Sequence, residues 1–137
     1  MPWELFSHQA DIGIRGRGAS KEEAFELAAT ALTAVITDPA NVSTGIRVDV
    51  QVEDADDELL FAAWINAFVY EMAARKMLFS RFRVRLEGGT CVGEAWGEPV
   101  DVEKHQPAVE VKGATYTDLK VQKTTDGEWL AQCVVDV

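Results

Sequence analysis

The stretch DADDELLFAAWINAFVYEMAARKMLFS, residues 54–80, limits the architecture more than any other. It opens with acidic residues, which suit the positive end of a helix dipole. Phe61, Trp64, Phe68 and Met72 then recur at helical spacing, while Leu60, Ala63, Ile65, Ala67 and Val69 leave little polar surface. A helix that is apolar on most sides is buried on most sides. Arg75 and Lys76 suit its C-terminal end.

The remaining segments surround this helix. FSHQADIGIRG (6–16) alternates like a strand, with His8, Ala10, Ile12 and Ile14 on one side and Gln9, Asp11, Gly13 and Arg15 on the other. Asp11 is anomalous within it, because aspartate competes for the backbone's hydrogen bonds and is depleted in strand interiors. Ser20 and Glu23 form a capping box for an amphipathic helix from Lys21 to Thr37, ended by Asp38-Pro39. GIRVDVQVED alternates Ile46, Val48, Val50 and Val52 against polar residues as a half-buried strand. Several more strands follow, RFRVRLEGGT turning at Gly88-Gly89, then TCVGEAWGE, PAVEVKGATY and DLKVQKT. The last, TDGEWLAQCVVDV, turns at Asp126-Gly127. The order strand, helix, strand, helix, then hairpin-joined strands predicts an α+β fold. Its expected form is a two-layer domain over residues 1–137, with two helices on one mostly antiparallel, or mixed, sheet.

Composition excludes several classes. Hydrophobic residues make up 47% of the 137, enough for a real core. No apolar run approaches the ~20 residues that span a bilayer, and the N-terminus lacks a signal-peptide pattern, so a cytoplasmic protein without membrane contact is expected. Cys91 and Cys133 lie in apolar, strand-like contexts, which predicts buried free thiols. The formal net charge of -10 opposes autonomous nucleic-acid binding, which relies on Lys and Arg. No Walker loop, GxGxxG, GxSxG or HExxH is present, so neither nucleotide binding nor nucleophilic hydrolysis has a motif behind it.

Three polar positions stand out: Asp11, Lys112 within VEVKGATY, and Asp136 in the apolar terminal stretch AQCVVDV. Each alone reads as a charge on the solvent side of a half-buried strand. Together they say more. If the strands of Asp11 and Asp136 are neighbours, two carboxylates with a terminal carboxylate or main-chain oxygen make a hard, all-oxygen cation site. Without a cation such carboxylates repel. Lys112 would pair with one of them or take a phosphate. His8 reads first as a hydrogen-bonded core residue, with a supporting role at the site as the alternative, and His105 as a loop residue.

HQADIGIRG, KEEAFELAATALTAVITD, DDELLFAAWINAFVYE, FSRFRV, VEVKGATYTDLKV and the terminal VVDV together resemble the archease family, in the same order and over essentially the full length. The resemblance implies a non-catalytic accessory protein of the RNA-splicing ligase that joins tRNA halves. Such a protein promotes guanylylation of the ligase's active-site histidine and restores multiple turnover. It also implies a divalent cation, calcium foremost with magnesium or manganese as alternatives, on Asp11, Asp136 and Val137. Lys112 is expected to act with that site at the ligase's catalytic subunit. Gln9, Asn66, Gly113 and Thr117 depart from the usual family residues, and none is an expected ligand. Two further readings remain: a chaperone or modulator of other RNA-processing or tRNA-modifying enzymes, and a small metal-dependent phosphotransfer enzyme using Asp11, Asp136 and Lys112.

Overall fold

The apolar helix organises what surrounds it. In the computed structural model, which describes residues 2–137, it is α2 (Asp57–Arg75). The Asp56 side chain caps it by accepting the Glu58 and Leu59 N–H groups. Lys76 ends it in the left-handed conformation, φ 54°. Trp64 is 0% exposed, and its indole N–H donates to the Phe25 carbonyl at 3.1 Å. Its ring packs edge-on against Phe68 at 4.5 Å. Gly93 makes room for it, since a Cβ there would come within 2.0 Å of the indole.

The strands divide between two sheets in which every pairing is antiparallel. The first contains β1 (Trp3–His8), β2 (Asp11–Gly18), β6 (Gly113–Ala114), β7 (Lys120–Lys123) and β8 (Trp129–Asp136). Its order is β1-β2-β8-β6, and β7 also pairs with β8. The second runs β3-β5-β4, from β3 (Ile46–Glu53), β4 (Met77–Glu87) and β5 (Thr90–Pro99). α1 (Lys21–Ile36) and α2 each touch both sheets. The α+β class is as the sequence predicts, but the single expected sheet is two. α2 is buried along one side, at Leu60, Phe61, Trp64, Ile65 and Phe68, but Leu59, Asn66, Tyr70, Ala73 and Ala74 are exposed, so it is not covered on most sides as the sequence suggested. Ala24 and Ala28 of α1 lie directly on Gly16 of β2, where a Cβ would fall 2.2 Å from a helix carbonyl. Cys91 and Cys133 are buried free thiols whose pKa burial pushes up to about 12.

Three local expectations change. The strand read across residues 6–16 is a hairpin: His8 pairs with Asp11, and Gln9 turns with φ 54°. Asp11 therefore opens β2 instead of interrupting a strand. The alternation continued through the turn by coincidence of residue type. Secondly, only Gly113 and Ala114 of the expected 107–116 strand enter the ladder. The chain before them is pinned by single bonds, Ala108 N–H to Ile36 O at 2.9 Å and Lys112 N–H to Asp136 O at 2.8 Å.

Thirdly, His105 is not a loop residue but sits in the single-turn helix α3 (Val102–His105), 3% exposed. Its Nδ1 accepts the Asp101 N–H at 2.9 Å, so Nε2 carries the ring proton and donates to Glu98 Oε2, also at 2.9 Å. Lys104 Nζ and the Ser43 N–H bond the same carboxylate oxygen. This knot fixes the crossing from the second sheet to the first.

Two outcomes follow from this packing. Gly93→Ala should cost about 1–3 kcal/mol in denaturant unfolding, as overpacking does; an unchanged midpoint would mean that Trp64 moves freely. Hydrogen bonds from Lys104, Ser43 and His105 pull the Glu98 carboxyl down from its ordinary range to about 2. A depressed carboxylate contributes stability above the unfolded value that disappears as pH falls through the folded one. Thermal unfolding from pH 5 to 2 should therefore be less pH-dependent in Glu98→Gln than in the parent.

Candidate functional site

The β2–β8 register builds one end of the first sheet. Ile14 faces Cys133 and Ile12 faces Val135. One further step of that register sets Asp11 opposite Asp136. Val135 is fully buried in the core and Ile12 packs against it, so alternation turns Asp11 and Asp136 to the outer face, away from the helices. Directly opposed residues have Cβ atoms about 4.5–5.5 Å apart, within reach of one cation. Asp11 is half-buried and Asp136 exposed. On the other edge of β8, Gly113 pairs with Asp136, and the exposed Lys112 donates its N–H to the Asp136 carbonyl. Val137 follows directly.

The structure thus gathers Asp11, Asp136, Val137 and the Lys112 backbone at one sheet end. His8 is there too, opposite Asp11, with Nε2 4.0 Å from Asp118 Oδ2. His8 is half-buried on the outer face and is not a core histidine. Asp118 was not singled out by the sequence, since an aspartate in a polar loop carries no periodic signal. The fold brings it near by folding residues 115–119 back along β8, where Gln132 Nε2 donates to the Asp118 carbonyl at 3.0 Å.

Electrostatics leave this end acidic. Arg15 and Arg17, the cations of β2, are both engaged by Glu4 at 3.0 Å. The Arg15 and Arg17 guanidinium groups hold the Glu4 carboxyl below its usual range. Arg15 also lies 4.5 Å over the Phe6 ring and bonds Gln132 at 2.8 Å, which closes the middle of the outer face. Among the described residues no ion pair engages Asp11, Asp136 or Lys112. Among them, too, no group of three or more His, Cys, Asp or Glu side chains is arranged to hold a metal ion. A cation here would need main-chain oxygen as well as the two carboxylates. The donor chemistry, oxygen only with two negative charges, fits a hard divalent ion.

An apolar hollow of about 360 Å³ lies beside the same crossing segment, between Val69, Met72, Met77, Val109 and Val111. Its charged lining is limited to Lys76 and Glu110, so it offers no donor set for a cation.

Residues 3–137 match the model of the Archease protein family (MTH1598/TM1083). The chain is 40% identical to the protein archease of Pyrococcus furiosus and 41% identical to that of Pyrococcus abyssi, in each case over 98% of both chains. The solution structure of protein 1598 from Methanobacterium thermoautotrophicum superimposes with a TM-score of 0.86 at 28% identity, covering 99% of each chain. The crystal structure of an archease, described as a possible chaperone, from Thermotoga maritima shares the fold with a TM-score of 0.65 at 18% identity, covering 98% of this chain and 96% of that one. With a family match across nearly every residue and relatives of this identity at full length, the chain belongs to the archease family.

Proposed function

We propose that this protein is a non-catalytic activator of an RNA-splicing tRNA ligase in the cytoplasm, promoting guanylylation and multiple turnover of the ligase's catalytic subunit. The observation that carries the reading is the cross-strand register of Asp11 and Asp136 beside Lys112, in a chain of this family. Asp11, Asp136 and a Val137 oxygen would hold a divalent cation, calcium foremost. Once bound, such an ion supplies positive charge and Lewis acidity to phosphate oxygens. The two carboxylates repel one another across the ladder, so the folded sheet stores a preference for a cation between them. Lys112 contributes a compact point charge at the same end and would hold a phosphate or a ligase carboxylate there. His8, beside Asp11, would support the orientation of that carboxylate.

The description of the Thermotoga maritima protein as a possible chaperone points to a second reading, a modulator of the solubility or assembly of RNA-processing enzymes. A ligase whose soluble fraction rises, with turnover per soluble molecule unchanged, would favour it.

Two measurements test the first reading. A ligand that binds only the folded state stabilises it by about 2.7 kcal/mol at a hundredfold excess over Kd. Calcium should therefore raise the thermal midpoint of the parent but not of Asp11→Asn. In chelator the variant should be as stable as the parent or up to about 1 kcal/mol more stable, because the repulsion is relieved. An equal calcium increment in both proteins would remove Asp11 from the site. The second concerns Lys112, which is exposed, so Lys112→Ala should change stability by less than about 0.5 kcal/mol. In multiple-turnover ligation with GTP and divalent metal it should lose most of the stimulation, while single-turnover joining by pre-guanylylated ligase stays unchanged. Full stimulation would return Lys112 to the ordinary solvated surface.

A further inference from the structure

Tyr116 is 73% exposed, more than any other large hydrophobic side chain among the described residues. Isolated exposed apolar groups are ordinary; the loop that presents this one is not. Thr115 bonds the Val134 carbonyl twice, through its N–H at 2.9 Å and its hydroxyl at 2.8 Å. The Val134 N–H donates to the Thr117 carbonyl at 3.1 Å, and the Thr117 N–H to Thr115 Oγ1 at 3.2 Å. Ala114 N–H is held by Asn66 Oδ1 of α2 at 2.9 Å. Gln132 holds the Asp118 carbonyl, and Leu119, next along, packs against the core. Nearly every residue around Tyr116 is thus tied to β8 or α2, while its ring touches little.

That combination has a consequence for binding. Ordering a loop and its side chains on association costs affinity, and a rigid aromatic avoids most of that cost. Aromatic anchors in such settings dominate interface energetics. The anchor also has a charge context. Asp118 follows two residues later with its side chain 48% exposed, and Asp136 lies two residues along β8 from the Val134 carbonyl that Thr115 grips. The chain as a whole carries a net charge of -10. An aromatic side chain two residues from a half-exposed carboxylate, whose ion-pair contact among the described residues is His8 at 4.0 Å, complements a guanidinium, which stacks on the ring and pairs with the acid.

We propose that Tyr116 is the docking anchor of this end of the molecule, its ring seated in an arginine-lined cleft of the partner protein, with Asp118 pairing to a guanidinium there. This rests on the reading that the partner is the ligase and adds the contact that brings Lys112 and the acidic sheet end to it. Docking and activation then divide between residues: Tyr116 sets the concentration needed, and Lys112 the maximal stimulation.

The test is direct binding of the full chain to purified ligase, without RNA or GTP, alongside stimulation titrations. Tyr116→Ala should melt like the parent and weaken binding at least about tenfold, as hot-spot truncation does. It should raise the half-saturating concentration while leaving maximal stimulation intact. Tyr116→Phe, which keeps the ring, should bind within about threefold of the parent. Asp118→Asn preserves a residue type that tolerates the left-handed backbone, φ 52°, and should weaken binding and flatten its salt dependence. Parent-like binding by Tyr116→Ala overturns the anchor while leaving the activator reading intact. Loss seen only when RNA or GTP is present also overturns it, in favour of base stacking. A parent protein that neither binds nor stimulates the ligase overturns the activator reading and the anchor with it.

Discussion

Everything at the candidate site depends on the pairing of β2 with β8. It joins the first and last thirds of the chain, and its register decides which residues face the helices and which face out. A slip of one residue would invert one strand, either turning Ile14 outward and Asp11 into the core or turning Cys133 and Val135 outward and Asp136 into the core. Burying those three apolar side chains while exposing two carboxylates makes any other register far less stable. Gly16, opposite Ala131, adds a steric condition, because only a residue without a side chain lets α1 lie on β2 at that point. The force that forms the core therefore also sets two like charges side by side on its far surface.

Much of this was legible in the residue order. The apolar pattern of 54–80 marked a helix, and Trp64 is fully buried as that pattern requires, but apolar residues on its far side, Leu59, Tyr70, Ala73 and Ala74, are exposed. Ser20 caps α1 as its spacing with Glu23 suggests. The partnership of strands was not legible, because period-two alternation names a strand's faces but not its neighbours. One sheet was expected where there are two. The Gln9-Ala10 turn was hidden because it lacks the Asn-Gly or Gly residues that usually mark such a hairpin, and Gln9 accepts a positive φ. His105 looked like a loop residue because nothing in DVEKHQ marks a buried position; its bonds to Asp101 and Glu98, and that of its carbonyl to the distant Thr37, appear only in the fold. Asp11, Asp136 and Lys112 drew attention as charges in apolar surroundings, and those residues do meet at one sheet end. Asp118 lay in surroundings as polar as itself and gave no such contrast.

The distribution of positive charge sharpens the picture. Arg15 and Arg17 stand on the same strand as Asp11 and would neutralise its end of the sheet were they free. Glu4 engages both, and Phe6 and Gln132 hold Arg15 over the middle of the face. The cations nearest in sequence are thus committed to structure. The acidic end is left to be balanced from outside, by an ion or by a basic partner. The core lies in the inner faces of both sheets and along α1 and α2, whereas the charges of the outer end stand outside it.

Asn66 and Gly113 fit this division of roles. The Asn66 Oδ1 accepts the Ala114 N–H at 2.9 Å, a bond that a carboxylate oxygen would also make. Gly113 lies against that same atom, and a Cβ there would approach Asn66 Oδ1 to 3.3 Å. That is a tight contact, which the missing methyl group avoids. The two residues are neighbours in space, and Asn66 keeps the anchor that ties the 114–119 loop to α2. What they preserve is the position of a backbone segment, and through it the placement of Lys112 on one side and Tyr116 on the other. Residues that never meet a ligand or a partner can in this way decide whether the residues that do are held in place.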